Sequence, residues 1–329
     1  MKVCVLGDGG WGTALAMVLD RNGNEVSVWG PFSKQIKSID EAGENIHFLP
    51  GVMVPDSLHW TSDMKGAITN AECVVIVVPS RFYHVTVEQL APLLPESVLV
   101  VSATKGLDES THMTMSEVAQ SILKRPVAVL SGPSHAEEVA RGVPCALVAA
   151  ANDLVLAKWV QQIFMNDYFR VYTSSDVKGV ELGGALKNVI AIAAGISDGL
   201  GFGDNTKAAL MTRGLAEMTR LGIAIGAQPE TFSGLGGLGD LMVTCMSQHS
   251  RNRRVGERLG RGELLEQIMS GMQMVAEGVW NCRAACELGD QMGISLPIAE
   301  QVQAVVHEGL SAQDAMAALM GRAPRAESE

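Results

Sequence analysis

The first half of the chain alternates short, almost wholly apolar runs with longer stretches of helical period. Lys2 to Leu6 and Glu25 to Trp29 read as buried strands. Cys73–Val78, Val98–Ser102, Val127–Leu130 and Cys145–Ala149 read as further parallel strands, with Phe169–Tyr172 closing the sheet. Continuous apolar runs between helical patterns suit strands covered on both faces. From Asp176 onward the texture changes to long helical patterns with no strand. A first helix is expected from about Asp176 to Ser197, then the connection Gly199–Asn205 and a second helix through Met218. After these come a glycine-rich segment, Gly234–Asp240, and a basic one, Ser250–Arg254. The pattern predicts an α/β domain over residues 1–175 followed by an all-α domain over 176–329.

Between the first strand and the helical run Thr13–Leu19 stands Gly7-Asp8-Gly9-Gly10-Trp11-Gly12. This is G-x-G-x-x-G in the strand–turn–helix setting that gives it meaning. Its glycines permit a tight turn and a close backbone approach to a pyrophosphate, which rests on the helix N-terminus. The first domain is therefore expected to be a Rossmann-type dinucleotide-binding domain, with Gly7, Gly9, Gly10, Trp11 and Gly12 around the cofactor. The second strand ends in Gly30-Pro31-Phe32-Ser33-Lys34. Neither the acid that takes ribose hydroxyls nor the base that takes a 2′-phosphate stands at the expected point, so both NAD and NADP remain open, and Lys34 reads as solvated. Three later strands run into Pro79–Phe82, Ala103–Gly106 and Ser131–Ser134. These loops fall at the sheet's carboxyl edge, where ligands of such folds bind.

One position breaks the hydrophobic pattern. Lys187 lies inside Leu182-Gly-Gly-Ala-Leu-Lys-Asn-Val-Ile-Ala-Ile-Ala-Ala-Gly195, a run otherwise fit for a buried helix. An ammonium in an apolar wall is costly unless it is paired or its pKa falls, which makes it a candidate for proton transfer. The competing reading is a lysine whose stem packs while its head reaches water.

Composition narrows the function classes. With 329 residues, 47% hydrophobic and 19% charged, the chain is globular and long enough for two domains. A formal net charge of -11 argues against nucleic-acid binding as the main activity. Cys4, Cys73, Cys145, Cys245, Cys282 and Cys286 are scattered and read as core thiols, without a disulfide framework or metal site. A strand starting at once leaves no room for a signal peptide, and Lys187, Asn188 and Asp198 interrupt the best apolar stretch before it reaches spanning length. A cytosolic protein without an integral membrane segment is expected, and a homodimer is compatible with the sequence. Arg253, Arg254 and Arg258 read as a solvated basic helix start.

Taken together and in order, these pieces carry a resemblance. Gly7-Asp-Gly-Gly-Trp-Gly-Thr-Ala-Leu-Ala16, Phe48-Leu-Pro-Gly51, Ser102-Ala-Thr-Lys-Gly-Leu107, Ser131-Gly-Pro-Ser134, Glu181-Leu-Gly-Gly-Ala-Leu-Lys-Asn-Val189, Gly234–Asp240, Ser250-Arg-Asn-Arg-Arg254 and Val275-Ala-Glu-Gly278 span nearly the whole chain. They resemble bacterial-type NAD(P)-dependent sn-glycerol-3-phosphate dehydrogenase. The resemblance implies reversible hydride transfer between dihydroxyacetone phosphate and sn-glycerol 3-phosphate, feeding phospholipid synthesis. It implies Lys187 as catalytic lysine and Lys105, Gly132, Asp240, Ser250, Arg251 and Asn252 as substrate contacts. It also implies Gly10, Trp11, Lys105, Gly132, Ser134, Ala136, Arg251, Val275 and Glu277 as cofactor contacts. Two departures stand out. Pro31-Phe32 replaces a basic residue that many bacterial members carry, which puts NADP preference in doubt. Arg81-Phe82-Tyr83 and His135 replace Gln-Ala-Phe-like and Phe residues and reshape the pocket wall.

The residue chemistry agrees. Ketone reduction needs a hydride and a proton, and Lys187 can give the proton or, in reverse, take it. Asp240 would orient the ammonium and limit the fall of its pKa. Arg251 offers a phosphate a planar, bidentate cation, with Asn252 as a neutral donor, and Lys105 can polarise the carbonyl or bind the phosphate. Two other readings remain: a related β-hydroxyacid dehydrogenase, and a non-enzymatic dinucleotide sensor that would have no reason to keep Lys187, Asp240 and Arg251 together.

Overall fold

The computed structural model describes residues 1–272, 275–324 and 326–327. Eight strands, β1 (Lys2–Leu6), β2 (Glu25–Trp29), β3 (His59–Thr61), β4 (Cys73–Ile76), β5 (Leu99–Ser102), β6 (Ala128–Ser131), β7 (Cys145–Ala150) and β8 (Phe169–Ser174), form one sheet in the order β3-β2-β1-β4-β5-β6-β7-β8. The helices threaded between them are α1 (Gly10–Arg21), α2 (Ser33–Ala42), α3 (Met64–Ile68), α4 (Ser80–Leu90), α5 (Met115–Leu123), α6 (Ala136–Ala140) and α7 (Leu154–Phe164). The apolar runs are continuous because the sheet is buried on both faces. Val3 and Val5 join one core with Val26 and Val28, while Cys4 and Leu6 join another with Val74 and Ile76.

Two expectations about the sheet need correction. The strand at Cys145 is not parallel to its predecessor: β7 pairs antiparallel with β6, and β8 then pairs parallel with β7. A parallel crossover needs a dozen or more residues and a helix able to run back along the sheet. The five-residue α6 rises only about 7 Å, so the chain turns back instead. The second correction is β3, which the pattern did not announce; its sequence is only His-Trp-Thr, and its central Trp60 is the buried one.

After Ser174 the described residues contain no strand. The helices are α8 (Val177–Gly199), α9 (Asp204–Ala224), α10 (Pro229–Phe232), α11 (Asp240–Met246), α12 (Arg251–Gly260), α13 (Leu265–Ser270), α14 (Gly278–Met292), α15 (Pro297–His307) and α16 (Ala312–Met320), with a π-helical turn at Leu235–Gly239. Contrary to expectation, α8 is long and apolar enough to cross a membrane by length and composition, with a mean hydropathy of 1.3; the whole of that window is buried inside the fold. It is the central post of the helical layer, with α9, α11, α12 and α14 packed around it.

The contact between α8 and α12 is made by absent side chains. A Cβ on Gly195 would lie 2.0 Å from the Arg253 carbonyl oxygen, and one on Gly256 would lie 2.0 Å from that of Ile192. Gly199 and Gly260 repeat the arrangement one turn on, with hypothetical Cβ contacts of 2.2 Å to Glu257 and 2.4 Å to Ile196. The two backbones touch, which fixes the start of α12 beside the middle of α8.

Candidate active site

Lys187 projects from the centre of α8 and is only 6% exposed. Its ammonium donates to Asp240 Oδ1 and, at 2.9 Å, to the hydroxyl of Thr244. Asp240, at the N-terminus of α11, is wholly buried. Its other oxygen accepts a 2.8 Å hydrogen bond from Lys105, which also donates to the Gly132 carbonyl at 2.8 Å. One carboxylate thus holds two ammonium groups from opposite layers, Lys105 in the loop after β5 and Lys187 in the helical post. Burial pulls the Lys187 pKa down to about 7; the Asp240 charge resists the fall and the Lys105 charge adds to it. The lysine is neither snorkelling nor neutralised by apolar surroundings alone.

Glycine makes this convergence possible. A Cβ on Gly184 would come within 2.9 Å of the Ser131 hydroxyl and 3.5 Å of Lys105 Cγ. On Gly183 it would lie 2.2 Å from the Gly236 carbonyl. Without these two side chains α8 lies against the end of β6 and against the π-helical turn that delivers Asp240. Gly132 has φ +135°, and a Cβ there would meet Leu147 Cα at 3.0 Å. Its carbonyl also accepts from the Ser134 hydroxyl at 2.9 Å.

The basic segment divides. Ser250 caps α12, its hydroxyl accepting from the Arg253 amide at 3.2 Å. Asn252 is buried: its amide donates to Asn188 Oδ1 at 2.9 Å, and its carbonyl accepts from the Gly278 amide at 2.8 Å. Asn252 therefore ties three helices together and keeps one N–H to offer. Arg251 is solvent-exposed, and no hydrogen bond holds its guanidinium among the described residues. Arg253 is a correction: it is not solvated, its guanidinium donating to Asp198 at 2.7 Å and 2.6 Å. Arg258 pairs with Glu263, and Arg254 is exposed as expected.

At the same carboxyl edge, across β4 from β5, Gly7 leaves β1 with φ +134°, and a Cβ there would lie 2.7 Å from the Val77 carbonyl oxygen. On Gly10 it would strike the Phe48 carbonyl at 2.4 Å, with Ala136 Cβ at 3.7 Å, and on Gly12 it would strike the Gly7 carbonyl at 2.0 Å. Gly9, by contrast, faces open space and caps α1 without a side chain. The indole N–H of Trp11 is buried without a partner. Ala136 is thus placed against the glycine loop. Glu277 reaches across from the helical layer, and its carboxylate accepts from the backbone and hydroxyl of Ser80 at 3.1 and 2.5 Å. Val275 is half-buried just ahead of α14.

Two residues of this site escaped the sequence reading. Thr244 is one, although it stands one turn after Asp240 on α11, where an Asp-to-Thr spacing of four could have pointed to it. Ser80 is the other. His135 lies near Lys187, and burial together with that lysine's charge lowers its pKa.

Two family models cover most of the chain: NAD-dependent glycerol-3-phosphate dehydrogenase N-terminus over residues 2–157, and NAD-dependent glycerol-3-phosphate dehydrogenase C-terminus over residues 176–317. The chain belongs to the NAD-dependent glycerol-3-phosphate dehydrogenase family. Among its glycerol-3-phosphate dehydrogenase relatives, the [NAD(P)+] protein of Pelotomaculum thermopropionicum is 50% identical over 100% of this chain and 95% of its own length. That of Listeria monocytogenes is 46% identical over 100% and 98%. The crystal structure of glycerol-3-phosphate dehydrogenase from Coxiella burnetii superposes with a TM-score of 0.95 at 39% identity, covering 98% of this chain and 99% of the other. In this family frame, the lysine–aspartate–lysine cluster lies where the dinucleotide-type sheet meets the helical layer.

Proposed function

We propose that the protein interconverts dihydroxyacetone phosphate and sn-glycerol 3-phosphate with NADH or NADPH, in the cytosol, supplying glycerophospholipid synthesis. Residues 1–175 hold the dinucleotide, and 176–329 supply substrate contacts and the catalytic group. The observation that carries this reading is Asp240 binding Lys187 and Lys105 together at the carboxyl edge of the sheet. A dinucleotide fits the first layer: the side-chain-free cap of α1 at Gly9 leaves room at a helix N-terminus for a pyrophosphate. Gly7, Gly10, Trp11 and Gly12 form that loop, with Ser134, Ala136, Val275 and Glu277 as further walls. When bound, the nicotinamide supplies the hydride.

The chain's own residues handle everything else. Lys187 donates the proton that the carbonyl oxygen needs on reduction and takes it back on oxidation. Asp240 and Thr244 fix the direction of its ammonium. Lys105 keeps one N–H beyond its bonds to Gly132 and Asp240 and directs it at the substrate oxygen or phosphate. Arg251 presents an unengaged fork to the phosphate, with the hydroxyl of Ser250 and the free N–H of Asn252 alongside. A carboxylate-bearing hydroxyacid would use this dianion-sized set less well.

Initial rates with dihydroxyacetone phosphate, measured in parallel against NADH and NADPH, test the reading. Oxidation of either reduced cofactor supports it. Faster turnover of hydroxyisobutyrate-type acids would install the hydroxyacid reading, and cofactor binding without oxidation would install the sensor. Arg251→Lys is expected to raise the KM for dihydroxyacetone phosphate about tenfold with little change in kcat, because the charge stays while the fork is lost; an unchanged KM contradicts the assignment. A pH series follows from the depressed Lys187 pKa of about 7. The acid must be protonated for reduction, so kcat/KM for the ketone falls as pH rises through that value. Oxidation needs the free amine, so its kcat/KM falls as pH drops through the same value. Profiles flat in both directions between pH 6 and 9 would contradict the role.

A further inference from the structure

The second strand lacks an acid at its end, but the structure puts one there from elsewhere. Asp8, the second residue of the glycine loop, is 8% exposed, and its Oδ2 is buried without a hydrogen-bond partner. A Cβ built on Gly30, the first residue after β2, would lie 2.5 Å from Asp8 Cγ and 2.6 Å from Oδ2. The Asp8 carboxylate therefore occupies the space that a side chain at the end of β2 would fill. In dinucleotide folds that is the place where an acid binds the adenosine ribose hydroxyls. Neighbouring bonds hold it there: the Gly7 amide donates to the Trp29 carbonyl at 2.9 Å, and Asn45 donates to the Asp8 carbonyl at 2.8 Å and to Thr13 at 2.9 Å.

A carboxylate oxygen shut from water and lacking a donor is an unfavourable arrangement by itself, and burial raises the Asp8 pKa accordingly. A ribose 2′-hydroxyl supplies the missing donor once the side chain turns, since Oδ2 as it stands is closed to any group the size of a water. A 2′-phosphate would bring only acceptors and like charge. The basic residue that follows β2, Lys34, is exposed on the first turn of α2, and Gly30-Pro31-Phe32 offers no cation of its own.

We infer that Asp8 is the specificity-determining residue of the dinucleotide site, selecting NADH over NADPH by taking the ribose 2′-hydroxyl from the glycine loop instead of from the end of β2. The inference rests on the dehydrogenase reading given above and sharpens its cofactor. Dissociation constants for NADH and NADPH, measured by quenching of protein fluorescence without substrate, test it in the wild type, Asp8→Ala, Asp8→Asn and Gly30→Ala. The wild type is expected to bind NADH at least tenfold tighter than NADPH. Asp8→Ala should lose about tenfold or more in NADH affinity, the size of a hydrogen bond to a charged group, while NADPH affinity holds or improves. Asp8→Asn keeps the shape and removes the charge, so NADPH affinity should improve there as well. Gly30→Ala should act like Asp8→Ala, because its methyl displaces the carboxylate. An NADH-to-NADPH ratio that stays the same in all four proteins overturns this inference and leaves the dehydrogenase reading standing. Failure of the wild type to bind either dinucleotide overturns both.

Discussion

Replacing Lys187 with alanine is expected to lower turnover by roughly 10²–10⁴, the usual loss when a positioned acid is removed. The effect should fall on kcat, since Lys187 is spent on Asp240 and Thr244 in the resting site and the residues proposed to take the phosphate lie at the start of α12. The variant also leaves Asp240 buried with Lys105 as its remaining partner. That pair persists, so the fold should survive with a modest fall in thermal midpoint. Binding of NADH, read by fluorescence, should change little, because the glycine loop is on the other layer. Near-normal kcat with intact cofactor binding would remove Lys187 from the chemistry.

Asp240→Asn should be costly in a different way. It leaves two ammonium groups facing an amide in a wholly buried spot. Taking one partner out of a buried charge cluster costs about 3–5 kcal/mol. Some of that is relieved when Lys187 gives up its proton, and this is where function suffers. The Asp240 charge holds the Lys187 pKa up against burial and against Lys105. Without it that pKa drops further, and the acid form becomes scarce at neutral pH. Ketone reduction at pH 7.5 should fall tenfold or more, with its decline beginning at a lower pH than in the wild type. Denaturant midpoints and paired pH profiles would check both effects. A variant with wild-type stability and an unmoved profile would mean that Asp240 is a bystander.

Much of this was legible in the chain. The glycine loop, the strand limits and the anomaly at Lys187 follow from local periodicity and from the cost of burying charge. Asp240 as partner of Lys187 came from chemistry and resemblance, and the distances agree. What escaped was set by tertiary geometry. The reversal at β7 depended on α6 being too short to cross the sheet. Arg253 looked solvated because Asp198, its partner, lies 55 residues away in sequence on another helix. The membrane-length character of α8 escaped for the opposite reason: three polar residues looked like interruptions, yet all three find partners inside the bundle. The division of labour within Ser250–Asn252 was invisible too, since nothing local marks Asn252 as a brace.

The bare backbone contact between α8 and α12 has a further meaning for how this protein can change. Where side chains separate two helices, spacing can be tuned in small steps by trading one rotamer or methylene for another. Here Gly195, Gly199, Gly256 and Gly260 leave nothing to trade, because even a single methyl lands on a carbonyl oxygen. The distance from Lys187 to the start of α12 is thereby quantised. A substrate with a longer spacer between its ketone and its phosphate cannot be accommodated by gradual widening. It would need α12 to be re-seated as a unit, or its anion to be received by a different part of the molecule.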